Sequence, residues 1–322
     1  MRYYYYFEMK VKNVKVLITP RGFANYGLDQ VKYMESKGLS VHYNNTGKQY
    51  TKEEFHKLAA DADAIIVGVD IIDRELMEKC PKLKAICKFG VGTDNIDLDY
   101  AKEKGIFVGR TVGSNSQAVA EHVIALMLAE SKNLYCTIKE VKEHKWNKPT
   151  VKEISGKILG IIGFGMIGKK LANFANGMSM KVYAYDAFGI PDKIAKECNV
   201  EKKSFEEIIS ESDYISLHVP LLDSTKHMIS TEQFKKMKKD ACLINAARGE
   251  IVDEKALYGA LANNEIRSAC FDVYSSEPPK FDDNLTTLDN FFLTPHIAAR
   301  TVESEKRTCK MSSKIIVKSL MG

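Results

Sequence analysis

No two of the chain's seven cysteines stand in a Cys-x-x-Cys pair, so neither a zinc ribbon nor a dithiol redox motif has its residues. The cysteines are widely spaced and several sit inside apolar runs, as Cys242 does in ACLINAA. Buried free thiols in a reducing compartment, and a cytoplasmic location, are expected. No His/Cys/Asp cluster has metal-ligand spacing either, and no metal is expected. Long apolar runs are missing too: none approaches the ~18–20 residues of a membrane span. The leader MRYYYYFEMKVKN is aromatic, but its apolar part is too short for a signal peptide and ends in lysines without a small-residue cleavage site. Met1–Asn13 reads as a ragged leader without a functional account for its four tyrosines. Charge of one sign is hardly in excess: 47 Lys and Arg against 42 Asp and Glu leave a formal +5. The lysines are scattered, which leaves no nucleic-acid footprint, although a small anionic substrate would still be steered.

What the 322 residues do contain is alternation, over a length suited to two domains. VKVLITP, LSVHYN, ADAIIVGV, LKAICKFG and IFVGRT read as strands, separated by helix-like segments such as Leu28–Lys37 and TKEEFHKLAA. A long apolar helix, SQAVAEHVIALMLAESKNL, follows. A second series then runs through KILGII, KVYAYD, DYISLHV, ACLINAA, RSACFDVY and FFLTP, with helices at Ile167–Met178 and Asp253–Asn263 and an amphipathic one near Val302–Leu320. Strands divided by helices of about ten residues mean βαβ units and parallel sheets. The fold class is therefore α/β, with two doubly wound parallel-sheet domains.

The second series opens on GFGMIG, a G-x-G-x-x-G at Gly163, Gly165 and Gly168. An apolar strand precedes it, and a helix with Ile167, Leu171, Phe174 and Met178 on one face follows. Gly163 permits the tight turn, Gly165 lets a pyrophosphate approach the backbone, and Gly168 lets helix and strand pack closely. The helix N-terminus adds unpaired N–H groups. The next strand ends in Asp186, whose carboxylate can accept both ribose hydroxyls of NAD. A 2′-phosphate there would meet a like charge, at a cost of up to about 4 kcal/mol for ~4 Å and an effective dielectric of ~20. No arginine follows directly to receive such a phosphate, and NAD over NADP is expected.

Three further pieces lie near strand C-terminal ends, where open α/β sheets bind ligands. These are NAARGEIVDEKAL with Arg248, DVYSSEP with Asp272 and Glu277, and TPHIAA with His296. Arg248 can hold a carboxylate or keto oxygen through its planar fork. His296 can act as acid in reduction and base in oxidation, with Glu277 orienting its ring and favouring the imidazolium. His218 reads as a backbone-positioning residue, and His122 as a packed or interface residue on the long helix.

These stretches, with GVGTDNID, NSQAVAEHVIALML, LGIIGFGMIGKKLA and HVPLLDSTKHMI, give the chain its resemblance to the D-isomer-specific 2-hydroxyacid dehydrogenase family from about Val14 to Met321. The resemblance implies that Arg248, Glu277 and His296 are catalytic. It implies that Met166, Ile167 and Asp186 contact the adenosine diphosphate half of NAD, that Val219 and Pro220 line the adenine slot with Thr225 nearby, and that Ala246 and Asp272 hold the nicotinamide amide. Val91 and Gly92 would bind the substrate carboxylate through backbone N–H groups. A Rossmann-type NAD domain, residues 114–297, would be inserted into a flavodoxin-like substrate domain of residues 1–113 and 298–322. A homodimer is implied, with the long helix and the segment through Trp146 at its interface.

Two positions depart from the family pattern: Arg300, where a small residue is usual, and Met166, where many relatives carry arginine. Lys88, before the substrate loop, and TPRG with Arg21 make the pattern similar to the D-3-phosphoglycerate dehydrogenase branch, in which the basic residue reaches the substrate phosphate. No serine-binding regulatory module is expected after residue 322. A glyoxylate or hydroxypyruvate reductase, or a D-lactate-type dehydrogenase, is the alternative. A dinucleotide-sensing, corepressor-like binding protein is a third reading.

Overall fold

The computed structural model describes residues 14–280 and 283–321. The tyrosine-rich leader lies outside the described residues. The chain divides into two compact units, one formed by the segment up to Asn115 together with the segment from Val302, the other by Ser116–Thr301.

The first unit carries β1 (Val14–Ile18), β2 (Leu39–Tyr43), β3 (Ala64–Val67), β4 (Ala85–Lys88) and β5 (Phe107–Arg110), parallel and in the order β2-β1-β3-β4-β5. That is the flavodoxin-like order. β3 is AIIV and buried at all four positions, as a strand covered on both faces must be. Its helices start where side chains cap them. Thr51 and Glu54 form a reciprocal capping box, Asp73 accepts from Leu76 N–H, and Asp97 accepts from Tyr100 N–H. The helix Val302–Met321 buries Cys309, Ile316 and Val317 against this sheet. Its Thr308 hydroxyl donates to Ser114 Oγ at 2.8 Å, which ties the end of the chain to residues that precede the second unit.

The second unit carries β6 (Ile158–Ile162), β7 (Lys181–Tyr185), β8 (Glu201–Lys202), β9 (Tyr214–Leu217), β10 (Cys242–Asn245), β11 (Ser268–Phe271) and β12 (Phe291–Leu293). All pairs are parallel, in the order β12-β11-β10-β9-β6-β7-β8. This is a Rossmann-type order with one extra edge strand, and the chain reverses direction across the sheet between β6 and β9. Alternate residues feed two cores, Ile162, Leu217 and Leu243 on one face and Ile161, Cys242 and Ile244 on the other.

Two local readings change. The long helix does not run on to Leu134. It ends at Ser131, Asn133 takes φ +50, and a separate helix spans Leu134–Lys142. β8, a two-residue edge strand with both side chains exposed, has no apolar pattern to announce it. Five cysteines are buried, with Cys136 and Cys198 half-buried. Among the described residues no helix is long and apolar enough to cross a membrane, and no group of three or more His, Cys, Asp or Glu side chains could hold a metal.

Candidate active site

The switch between β6 and β9 is where the glycine loop lies. Gly163 follows β6 at φ +94, and a Cβ there would stand 2.6 Å from the carbonyl carbon and oxygen of His218, the residue after β9. Only glycine meets both constraints. Gly168 is closed in as well, since a Cβ would lie 2.7 Å from Gly163 O and 3.1 Å from Ile161 Cγ2. Gly165 is the opposite: a Cβ would meet nothing within 4 Å. Gly165 also starts the helix Met166–Gly177 without a side-chain cap. An open backbone approach at the N-terminus of a twelve-residue helix suits a pyrophosphate. Met166 is 51% exposed at this helix start, and Ile167 is half-buried beside it.

Asp186 follows β7. Its Oδ2 accepts Phe164 N–H of the glycine loop at 2.9 Å, and its Oδ1 accepts Phe188 N–H at 3.0 Å. Each oxygen keeps a further lone pair for a ribose hydroxyl, so the residue that would read the ribose also holds the loop that would hold the phosphate. After β9, Thr225 Oγ1 donates to Pro220 O at 2.6 Å and accepts from Leu222 N–H at 2.8 Å, closing the turn that presents Val219 and Pro220. His218 Nε2 pairs with Ser216 Oγ at 2.9 Å, while its Nδ1 is buried and finds no partner among the described residues. Burial pushes this imidazole down to about 4. The residues present thus fit a dinucleotide.

The acid–base residues stand on the loops after β10, β11 and β12. His296 Nδ1 lies 2.7 Å from Glu277 Oε2, and Glu277 Oε1 accepts Tyr274 N–H at 3.0 Å. Both carboxylate oxygens are therefore committed, and the ring's Nε2 remains the nitrogen for chemistry. Burial alone would raise the Glu277 carboxyl. The His296 and Tyr274 hydrogen bonds and the charges of His296 and Arg248 outweigh it and hold Glu277 below the usual carboxylate range. Arg248 is set by Asn245, which is fully buried. Asn245 Nδ2 donates to Arg248 O at 2.8 Å, its Oδ1 accepts Ala247 N–H at 3.0 Å, and Arg248 Nη1 donates to Ala247 O at 2.7 Å. Ala246 lies in the same turn, half-buried.

Asp272 is 1% exposed. Its Oδ1 accepts from Thr294 Oγ1 at 2.5 Å and from Ile297 N–H at 2.9 Å, and its Oδ2 accepts Ala298 N–H at 2.8 Å. These bonds bracket His296. His122 does more than pack: its Nε2 lies 3.0 Å from Thr294 Oγ1 and 3.5 Å from Asp272 Oδ1. No spacing in the sequence links positions 122, 272 and 294. Gly249 was equally silent: a Cβ on it would collide with Tyr274 and Ser275 backbone.

Lys88, Val91 and Gly92 belong to the first unit, at and after the C-terminal end of β4. The Lys88 amine donates to Gly68 O at 2.5 Å and Asn95 Oδ1 at 2.6 Å, so it braces its own loops. Gly90 takes φ +145, and its N–H is held by Thr111 Oγ1 at 2.8 Å. Arg300 is exposed, its N–H donating to Ile297 O at 2.8 Å.

Residues 124–298 match the family model described as "D-isomer specific 2-hydroxyacid dehydrogenase, NAD binding domain". A D-3-phosphoglycerate dehydrogenase of Methanocaldococcus jannaschii is 41% identical over 84% of this chain and 52% of its own length. A hydroxypyruvate reductase of Thermotoga maritima is 39% identical over 81% of this chain and 86% of its own. The chain thus spans about half the length of the first of these relatives and most of the second. A D-lactate dehydrogenase from Aquifex aeolicus, solved with NAD and lactic acid, superposes with a TM-score of 0.80 at 32% identity, covering 94% of each chain.

Proposed function

The chain belongs to the D-isomer-specific 2-hydroxyacid dehydrogenase family, NAD-dependent oxidoreductases that act on a CH–OH group, and we propose that it oxidises D-3-phosphoglycerate to 3-phosphohydroxypyruvate and catalyses the reverse reduction. The observation that carries the reaction is the 2.7 Å pairing of His296 with Glu277, near enough to Arg248 for its charge to be felt by the carboxylate. NAD, when bound, would provide the hydride chemistry. The protein's own part is positional and electrostatic. Glu277 holds Nδ1, which directs Nε2 to take the hydroxyl proton in oxidation and to return it to the carbonyl oxygen in reduction. Arg248 offers two parallel N–H donors to the substrate carboxylate or keto oxygen. Asp272 and Asn245 keep the turns bearing these groups from drifting; an error of about 1 Å at a reacting group can cost roughly a hundredfold in rate.

The phosphorylated substrate is supported by charge at one edge of the first sheet. Lys88 and Arg110 are paired in register at the ends of β4 and β5, so both project to the same face, and Arg21 follows β1. A second reading, a glyoxylate or hydroxypyruvate reductase, is favoured by the same Lys88, whose amine already bonds Gly68 O and Asn95 Oδ1. Turnover of phosphoglycerate, glycerate, lactate and glyoxylate side by side, with wild type and Lys88→Ala, separates them. A phosphate-reading lysine gives a KM for phosphoglycerate raised roughly tenfold or more, the scale of one lost charged contact, with glyoxylate little changed. Equal effects on both substrates favour the brace.

We also propose a homodimer. The long helix Ser116–Ser131 buries Ala120, Val123 and Met127 within its own unit. The helix Leu134–Lys142 buries nothing and leaves Tyr135, Ile138 and Val141 more than half exposed, with Trp146 at 76% just beyond it. An apolar stripe of this kind favours a protein partner. Light scattering of wild type and Ile138→Glu tests it, the dimer reading requiring a shift toward monomer in the variant.

A further inference from the structure

His296 sits at φ +54, the left-handed region that a non-glycine residue holds only when its surroundings dictate it. Its own N–H donates to Thr294 O at 2.9 Å. Beside the Glu277 bond to its ring, a further restraint comes from one carboxylate: Asp272 receives the Thr294 hydroxyl before the histidine and the Ile297 and Ala298 N–H groups after it. The Thr294 hydroxyl has a single proton and, besides His122 Nε2, two oxygen acceptors in range, Asp272 Oδ1 at 2.5 Å and Phe271 O at 3.3 Å. Asp272 as a carboxylate can only accept, so at 2.5 Å the proton lies on that line. The third neighbour of Thr294 Oγ1, His122 Nε2 at 3.0 Å, must then be the donor. His122 stands on the helix Ser116–Ser131, which lies against β11 within the same unit. Burial lowers the His122 pKa, partly opposed by Asp272, and the neutral ring suffices for this bond.

We infer that His122 is a positioning residue for the reaction, acting through Thr294 and Asp272 to fix the turn that carries His296. With its N–H on Thr294 Oγ1, the hydroxyl proton is directed to Asp272, and the carboxylate grips the turn on both sides of the histidine. Without it, the hydroxyl is free to rotate to Phe271 O, Asp272 loses one of its bonds, and the left-handed histidine loses part of its clamp. A helix that carries no reacting group thereby helps hold the acid–base residue in place. The inference rests on the acid–base reading of His296.

The test compares wild type with His122→Ala, His122→Gln, Thr294→Val and the double variant His122→Ala/Thr294→Val. It measures kcat and KM with the best 2-oxo acid of the panel, NADH affinity by fluorescence titration, and melting temperature. His122→Ala should lower kcat roughly 10- to 100-fold, with NADH affinity changed by less than about threefold, as expected when a reacting group is displaced rather than a binding contact removed. His122→Gln, whose amide nitrogen can replace Nε2 as donor, should recover most of the loss. Thr294→Val should match His122→Ala, and the double variant should be no worse than either, because both cut one chain of bonds. Wild-type kcat in His122→Ala overturns the inference, as do losses that multiply in the double variant, or a loss that follows the melting temperature and is not rescued by glutamine. His296→Asn is measured in parallel: if it retains turnover, the acid–base reading itself fails, whereas an inactive His296→Asn beside a fully active His122→Ala removes only the role of His122.

Discussion

Gly249 lies so close to Tyr274 that a Cβ on it would stand 2.1 Å from the Tyr274 carbonyl carbon and 2.3 Å from Ser275 N. The glycine beside Arg248 is thus required by the approach of a second backbone, the one that runs on to Glu277. The turn bearing the guanidinium and the turn bearing the carboxylate are pressed together at this point. Gly249→Ala must push them apart. We expect kcat to fall roughly a hundredfold for a displacement of about 1 Å, with a loss of about 1–3 kcal/mol of stability from overpacking. Steady-state kinetics and denaturant unfolding of the variant check both. A variant with wild-type kcat would show that the contact does not matter for the site.

Asp186 spends one lone pair of each oxygen on the backbone, at Phe164 and Phe188. Asp186→Ala removes the ribose acceptors and loosens the glycine loop together. NADH affinity should drop by roughly 10- to 100-fold, the sum of one or two charged hydrogen bonds. Discrimination against NADPH should shrink, because the like charge facing a 2′-phosphate is gone. Fluorescence titrations with both cofactors measure this, and an unchanged NADH-to-NADPH ratio would remove Asp186 from cofactor choice.

His218 makes stability depend on pH. Its folded value of about 4 lies below the ~6.5 of an exposed histidine, so the unfolded chain binds the proton more readily between them. Stability from this group is complete above about 6.5 and is lost as pH falls toward 4, by up to about 3 kcal/mol in all. His218→Gln, which can keep the Ser216 bond without titrating, should flatten that part of the pH–stability curve. Urea unfolding at intervals from pH 7 to 4 would reveal it; parallel curves for the two proteins would mean that His218 is not buried neutral.

The sheets were legible because their strands are apolar runs closed by turn residues, such as the wholly buried AIIV of β3 and ILGII before Gly163. The glycine loop was legible because its three glycines fall within six residues of sequence, two of them, Gly163 and Gly168, meeting constraints set by nearby backbone. Other features depend on contacts that only the fold creates. Asn133 breaks the long helix by taking a left-handed conformation, which its sequence neighbours do not announce. β8 forms only because its two residues lie beside β7. The Lys88 amine bonds Gly68 and Asn95, 20 and 7 positions away, which its own stretch does not announce. The grip of Asp272 on the His296 turn, and the place of His122 beside it, join segments separated by as many as 172 positions. No periodicity or motif spacing carries a contact of that kind.

The most direct measurement is single-turnover reduction of the 2-oxo acid panel by bound NADH in wild type, His296→Asn and Glu277→Gln, with NADH affinity determined for each. The account predicts wild-type turnover with at least one acid, a loss of roughly 10²–10⁴-fold in both variants, and NADH affinities that barely change. The Glu277–His296 pair is 40–48% exposed, so solvent screening leaves it at most about 1 kcal/mol of stability, and the variants should melt close to wild type. Turnover in His296→Asn equal to wild type, or NADH binding by wild type without reduction of any acid, would contradict it.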